Sequence, residues 1–142
     1  MSLYLDASAM LPRIVEEQTS DSVDAFLNAC VDPLLTSELG ATEVASAMSR
    51  LVRMGQITSA QGLDRLTAFD SWREAAIQTV ALEPADFRLA NVYVRRFDLK
   101  LRAPDALHVA ICFRHGLTLV TLDRRLAAAA QSLGVTARMP VP

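Results

Sequence analysis

Four carboxylates in the 142-residue sequence stand where they could do chemistry: Asp6, Glu43, Asp105 and Asp123. Asp6 directly follows the apolar run Leu3-Tyr4-Leu5, and Asp123 directly follows the run Leu117 to Leu122. Each also precedes a segment with helical spacing. In a parallel sheet all strand C-terminal ends lie along one edge, where open α/β proteins bind ligands. Two carboxylates 117 positions apart in sequence can therefore meet. Asp105 sits just after Pro104 in the first turn of a helix and can project toward the same edge. Glu43 lies about two turns into the helix after the second strand, beside the apolar stripe of Val44, Ala47 and Met48. An unpaired carboxylate near that inward face is costly.

Taken singly, Asp6 and Asp123 also fit helix N-caps, each worth about 1 kcal/mol. Capping does not account for Glu43. Three acids on one edge with a fourth close by repel each other unless a cation sits among them. An all-oxygen donor set selects a hard ion, here Mg²⁺ or Mn²⁺. A divalent ion held by carboxylates suits in-line phosphoryl chemistry.

The elements that must position these side chains alternate. Strands are expected at 3–5, 33–36, 79–82 and 117–122, with a last edge strand at 135–139. Helices are expected at 19–30, 37–54, 59–78, 84–97, 104–116 and 124–133, with a further short helix after Asp6 that breaks or restarts at Pro12. Ser37 is a favoured N-cap and Gly55 a stop for the 37–54 helix. Gly116 and Gly134 close two others. The run Leu117 to Leu122 is unbroken and apolar, as expected of a strand covered on both faces. This alternation implies a parallel sheet wrapped by helices.

Composition bounds the rest. A chain of this length fits one domain, residues 1–142, and needs no disulfides. The longest uncharged run, Leu126 to Ala137, has 12 residues, where a membrane span needs roughly 18. No basic residue precedes Arg13, which argues against a signal peptide. Two cysteines are not a disulfide framework, so a reducing, cytoplasmic setting is expected. The formal charge of −2 argues, at first sight, against a nucleic-acid binder. It is unevenly spread: residues 1–86 hold 13 acids and 5 bases, residues 87–142 hold 3 acids and 9 bases. Such asymmetry hints at an anionic partner, although solvated helix faces also carry scattered charge.

Four strings carry a family resemblance: Tyr4-Leu5-Asp6-Ala7-Ser8, Thr42-Glu43-Val44-Ala45-Ser46, Arg102-Ala103-Pro104-Asp105-Ala106-Leu107-His108-Val109-Ala110, and Val120-Thr121-Leu122-Asp123-Arg124-Arg125-Leu126. In order and context they resemble a PIN domain, and more narrowly the VapC ribonuclease toxin of a VapBC-type toxin–antitoxin pair. The resemblance implies a three-layer α/β/α fold with a small central parallel sheet and Mg²⁺- or Mn²⁺-dependent endonuclease activity on RNA. It further implies a cognate VapB-like antitoxin and a toxin homodimer. By it, Asp6, Glu43, Asp105 and Asp123 match the acidic quartet, catalytic and metal-holding. Ser8 and Thr121 match hydroxyl positions that orient carboxylates or metal-bound water. Gly55 to Ala81 matches no motif.

Beside the quartet, Arg102, Arg124 and Arg125 are candidates to meet RNA phosphates. Arg124 and Arg125 sit in a first helical turn, where the helix dipole slightly disfavours them. The long helices 37–54 and 59–78 offer more apolar stripe than one small sheet needs, which suits an antitoxin groove. His108, one turn after Asp105, could reach the site, but a helix apolar nearly all round favours a buried, hydrogen-bonded imidazole. Cys112 reads as core, Cys30 as a helix-end apolar residue, and Phe69 and Trp72 as helix packing. His108 and Cys112 would make half a zinc site with no second pair. Alternatives are a non-catalytic module of this fold or another Asp-rich phosphotransfer protein. A receiver domain would want paired acids after its first strand and a late Lys, and an aspartyl phosphatase a second Asp where Ser8 stands. Setting aside the quartet changes the net charge to +2, so the acidic balance does not exclude RNA.

Overall fold

The structure, a computed structural model, describes residues 1–141. Five short strands, β1 (Leu3–Leu5), β2 (Leu34–Thr36), β3 (Gln78–Thr79), β4 (Thr118–Val120) and β5 (Ala137–Arg138), form one sheet in the order β3-β2-β1-β4-β5. Every pairing is parallel, with Leu3 beside both Leu34 and Thr118, and Leu5 beside Val120. The central strand β1 lies between β2 and β4, so the strand order reverses direction at β1. That reversal is where ligands bind in folds of this class.

Alternation along the strands sends side chains to two helical layers. Leu3, Leu5 and Val120 pack with residues of α1 (Ala7–Met10), α2 (Ser20–Ala29), α3 (Glu38–Arg53) and α4 (Ser59–Ala76), among them Met10, Val23, Val44 and Phe69. Tyr4 and Leu119 face α5 (Pro84–Val94), α6 (Ala103–His115) and α7 (Arg124–Ser132), where Tyr93, Val109, Ile111 and Leu126 close a second core. The result is the expected three-layer α/β/α arrangement around a small parallel sheet. No helix among the described residues is long and apolar enough to cross a membrane.

Caps set the helix starts. Ser37 Oγ accepts from the Gly40 amide at the head of α3, and Thr58 with Gln61 forms a capping box on α4. Gly55 and Gly116 take positive φ after α3 and α6. β1 matches its expected range, and the other expected strands are longer than those observed, for local reasons. β4 stops at Val120 because the Leu122 amide donates to Ser8 Oγ rather than to a neighbouring strand. β3 is Gln78–Thr79 rather than 79–82: Val80 N–H still reaches Thr36 O, and the chain then turns at Glu83 and Pro84 into α5. β5 is confined to Ala137–Arg138 because the Val135 amide is taken by Ala130 O at the end of α7. α5 ends at Val94 rather than near Phe97, and a 3-10 turn over Phe97–Leu99 follows.

Candidate active site

Asp6 leaves β1 at its C-terminal end and starts α1. Its Oδ1 accepts from the Ala9 amide at 3.1 Å and from Ser8 Oγ at 2.7 Å, and its Oδ2 accepts from Thr121 Oγ1 at 2.6 Å. The capping reading of Asp6 is thus borne out, and the same side chain is also held by Ser8 and Thr121. Thr121 Oγ1 in turn accepts from the Asp123 amide at 3.0 Å. The hydroxyls of Ser8 and Thr121 therefore tie the end of β1 to the loop after β4, bringing Asp6 next to the backbone of Asp123. Asp6 is 5% exposed. Burial pushes its carboxyl above the ordinary carboxylate value, with Thr121 and Ser8 opposing that shift.

Asp123 caps α7, its Oδ1 accepting from the amides of Arg125 and Leu126 at 3.0 and 3.2 Å. Asp105 stands in the first turn of α6, where its Oδ2 accepts from the Arg102 amide at 3.3 Å and lies 3.5 Å from Arg102 Nε. Asp105 and Asp123 line one cleft of about 280 Å³, together with Lys100, Leu101, Arg102, Arg125 and Leu126. Two of the three expected arginines are on its rim. Arg124 is exposed and is not part of its lining. Lys100 is, and the sequence reading missed it. It takes a left-handed conformation, φ 54°, uncommon for a residue with a Cβ. The spacing of Lys100 and Arg102, flanking one residue ahead of Pro104, was the available signal.

Glu43 is the clearest departure. Expected near the buried face, its side chain is 32% exposed, because α3 lifts it to the margin of the sheet edge. It is held by His108 Nε2, which lies within hydrogen-bond distance of Glu43 Oε1. His108 is buried, as expected, and its Nδ1 is 2.7 Å from Tyr4 Oη. Tyr4 Oη is also 2.7 Å from Ser37 Oγ. Burial pushes the Tyr4 phenol upward, so it stays a neutral hydroxyl.

In this arrangement no three His, Cys, Asp or Glu side chains among the described residues converge as a metal cluster. Asp105 and Asp123 are turned to their own helix starts. The donor chemistry nonetheless fits a hard divalent cation. All candidate donors are carboxylate oxygens, and Asp6 is a buried acid with no cationic partner among the described residues. Its two oxygens offer about four acceptor positions, of which three are used. The other buried acid, Asp86, shows the contrast: Arg114 pairs with it at 2.6 and 2.8 Å.

The whole chain resembles known proteins. It is 29% identical over 142 residues to Ribonuclease VapC46 of Mycobacterium tuberculosis, covering 98% of each. Its fold superposes on the DNA-bound VapBC of Salmonella typhimurium with a TM-score of 0.74 at 11% identity, covering 99% of this chain and 98% of that one. It also superposes on Mycobacterium tuberculosis VapC20, described as a sarcin-ricin-loop-cleaving toxin, with a TM-score of 0.72 at 14% identity, covering 89% and 94%. The PIN domain profile matches residues 3–131, a span that holds all four carboxylates and both hydroxyls of the sheet edge, and the chain belongs to the PIN domain family.

Proposed function

We propose that this chain is a metal-dependent endoribonuclease that acts as the toxin of a toxin–antitoxin pair in the cytoplasm. The observation that carries the reading is Asp6: a buried carboxylate without a counter-charge, fixed by Ser8 and Thr121 beside the loop of Asp123 at the point where the sheet order reverses. Asp6, Asp105 and Asp123 are the residues that would hold Mg²⁺ or Mn²⁺, and Glu43 would hold a second ion or orient the attacking water. When bound, such an ion lowers the pKa of a water and stabilises charge on phosphate oxygens. Ser8 and Thr121 keep Asp6 in one orientation, so no reorganisation is needed at that carboxylate. Arg102 and Arg125 on the cleft rim, with Arg124 outside it, meet the RNA phosphates as cationic forks. His and Cys side chains have no proton-transfer role in this scheme.

The relatives' names support the partner reading. Met54 at the end of α3 and Leu63 within α4 are exposed beside clefts of about 270 and 330 Å³ lined by Leu51, Met48, Val52 and Leu66. That apolar margin suits an amphipathic segment of a VapB-like antitoxin. A homodimer completes the proposed assembly.

The test is cleavage of a labelled RNA by purified protein with Mn²⁺ and with a chelator. The wild type should cut only with the ion, and Asp6→Asn should lose at least about 100-fold. Equal cleavage by wild type and variant, or cleavage in chelator, sinks the reading.

A further inference from the structure

The structure assigns His108 a positioning role: it holds Glu43 at the site through a one-way hydrogen-bond chain running Ser37–Tyr4–His108–Glu43. The inference rests on the nuclease reading for its activity readout only. The polarity follows from counting donors. Glu43 as a carboxylate can only accept, so His108 Nε2 must carry the hydrogen that meets it. A neutral imidazole then has a bare Nδ1, which accepts from Tyr4 O–H at 2.7 Å. Tyr4 Oη, its hydrogen used, accepts from the Ser37 hydroxyl at 2.7 Å. Ser37 Oγ keeps a lone pair for the Gly40 amide at 3.2 Å, the bond that starts α3.

This single arrangement gives every polar side-chain hydrogen of the four residues an acceptor. It also links three elements, since Tyr4 is the centre of β1, Ser37 and Glu43 frame the first turns of α3, and His108 lies on α6. Tyr4, Ser37 and His108 are all buried, His108 to 1% exposure, whereas Glu43 reaches solvent. The chain is therefore anchored in the core and ends on a side chain at the surface of the site. A half-exposed glutamate on a helix would otherwise sample several rotamers. Sites whose carboxylates are held in this way typically lose about 10- to 100-fold in activity or metal affinity when the supporting group is removed.

Two isosteres of histidine separate this role from folding. His108→Asn keeps a polar group near Nδ1, within reach of Tyr4, and loses the arm to Glu43. His108→Gln keeps a donor near Nε2, aimed at Glu43. With Mn²⁺ and RNA, we expect His108→Asn to lower kcat about 10-fold with little change in KM, and His108→Gln to recover most of it. Thermal unfolding of both variants reports the folded fraction, to which activities are normalised. Glu43→Gln combined with His108→Asn should be no worse than Glu43→Gln alone, because the second change acts only through the first. Independently of activity, nitrogen-15 spectra of labelled histidine in the metal-free protein should show His108 protonated at Nε2 and bare at Nδ1. Equal specific activity of the two His108 variants, additive losses in the double variant, or a hydrogen on Nδ1 with Nε2 bare would overturn the assignment. A wild type that cuts no RNA would instead sink the nuclease reading, and the spectra would still decide the polarity of the chain.

Discussion

At the scale of single residues, Asp6 sets the tension between stability and function. Its folded pKa is raised by burial above the unfolded value of about 3.9. The folded state therefore holds its proton longer than the unfolded chain. Stability from this group is full below about pH 3.9 and falls as pH rises through the folded value, leaving a buried charge at neutral pH. Asp6→Asn removes that charge while keeping an oxygen for Ala9 and Ser8. In chelator at neutral pH the variant should melt higher than the wild type in a thermal scan. Added Mn²⁺ should raise the wild-type midpoint and leave the variant unmoved. A lower midpoint for the variant in chelator would contradict the assignment of Asp6 as an uncompensated buried acid. The places of Asp6 and Asp123 were legible from sequence because a strand ending in Asp before a helix is capping grammar, and both carboxylates cap the helices that follow. Glu43 was only half legible: its neighbours Val44 and Met48 are buried, but one position around the helix changes inside to margin. The partner of Glu43 was visible as His108, yet nothing local in the sequence links positions 43 and 108.

At the scale of elements, two contacts fix how the helices pack. The first is the approach of α3 to the sheet at Gly40. A Cβ there would lie 2.5 Å from Thr36 Oγ1, which donates to Leu5 O at 2.9 Å inside the core. Gly40→Ala should cost about 1–3 kcal/mol, measured by urea denaturation, despite its better helix propensity. The second is the ion pair between α5 and α6. Burial pulls the Asp86 carboxyl upward, but the Arg114 guanidinium and the Glu83 amide outweigh it and hold it below the usual value. Its stability contribution is present above about pH 3.9 and is lost as pH falls through the lower folded value. Asp86→Asn should cost about 2 kcal/mol at pH 7 in denaturant titrations and flatten the acid limb of the stability curve. The helices were legible because caps and glycines punctuate them: Ser37, Gly55, Gly116 and Asp123 mark ends within a residue or two. The strands were less so. Their ends are decided by side-chain competitors such as Ser8 Oγ for the Leu122 amide, 114 residues away, which no local pattern encodes.

At the scale of the whole molecule, the charge asymmetry acquires a location. Lys100, Arg102 and Arg125 border the cleft of Asp105 and Asp123, while the acid-rich first 86 residues build β1 to β3, α1 to α4 and the first turn of α5. The −2 total is therefore a poor guide to partners, since four of the acids belong to the proposed metal site. Phosphate contacts release counterions, so binding of single-stranded RNA to catalytically dead protein should weaken with salt. Removing two rim cations, Arg102→Ala with Arg125→Ala, should reduce the slope of log affinity against log salt by about 1.4. An unchanged slope would move the RNA away from this cleft. The three-layer fold was readable from alternation and from buried apolar runs, because two covered faces leave a recognisable mark on each strand.

The most direct measurement is Mn²⁺ binding, followed by electron paramagnetic resonance, to the wild type and to Asp6→Asn, Asp105→Asn and Asp123→Asn. The shared-site account predicts saturable binding by the wild type and at least about a 10-fold loss of affinity in each variant. Unchanged affinity in all three, with the proteins folded, would contradict it.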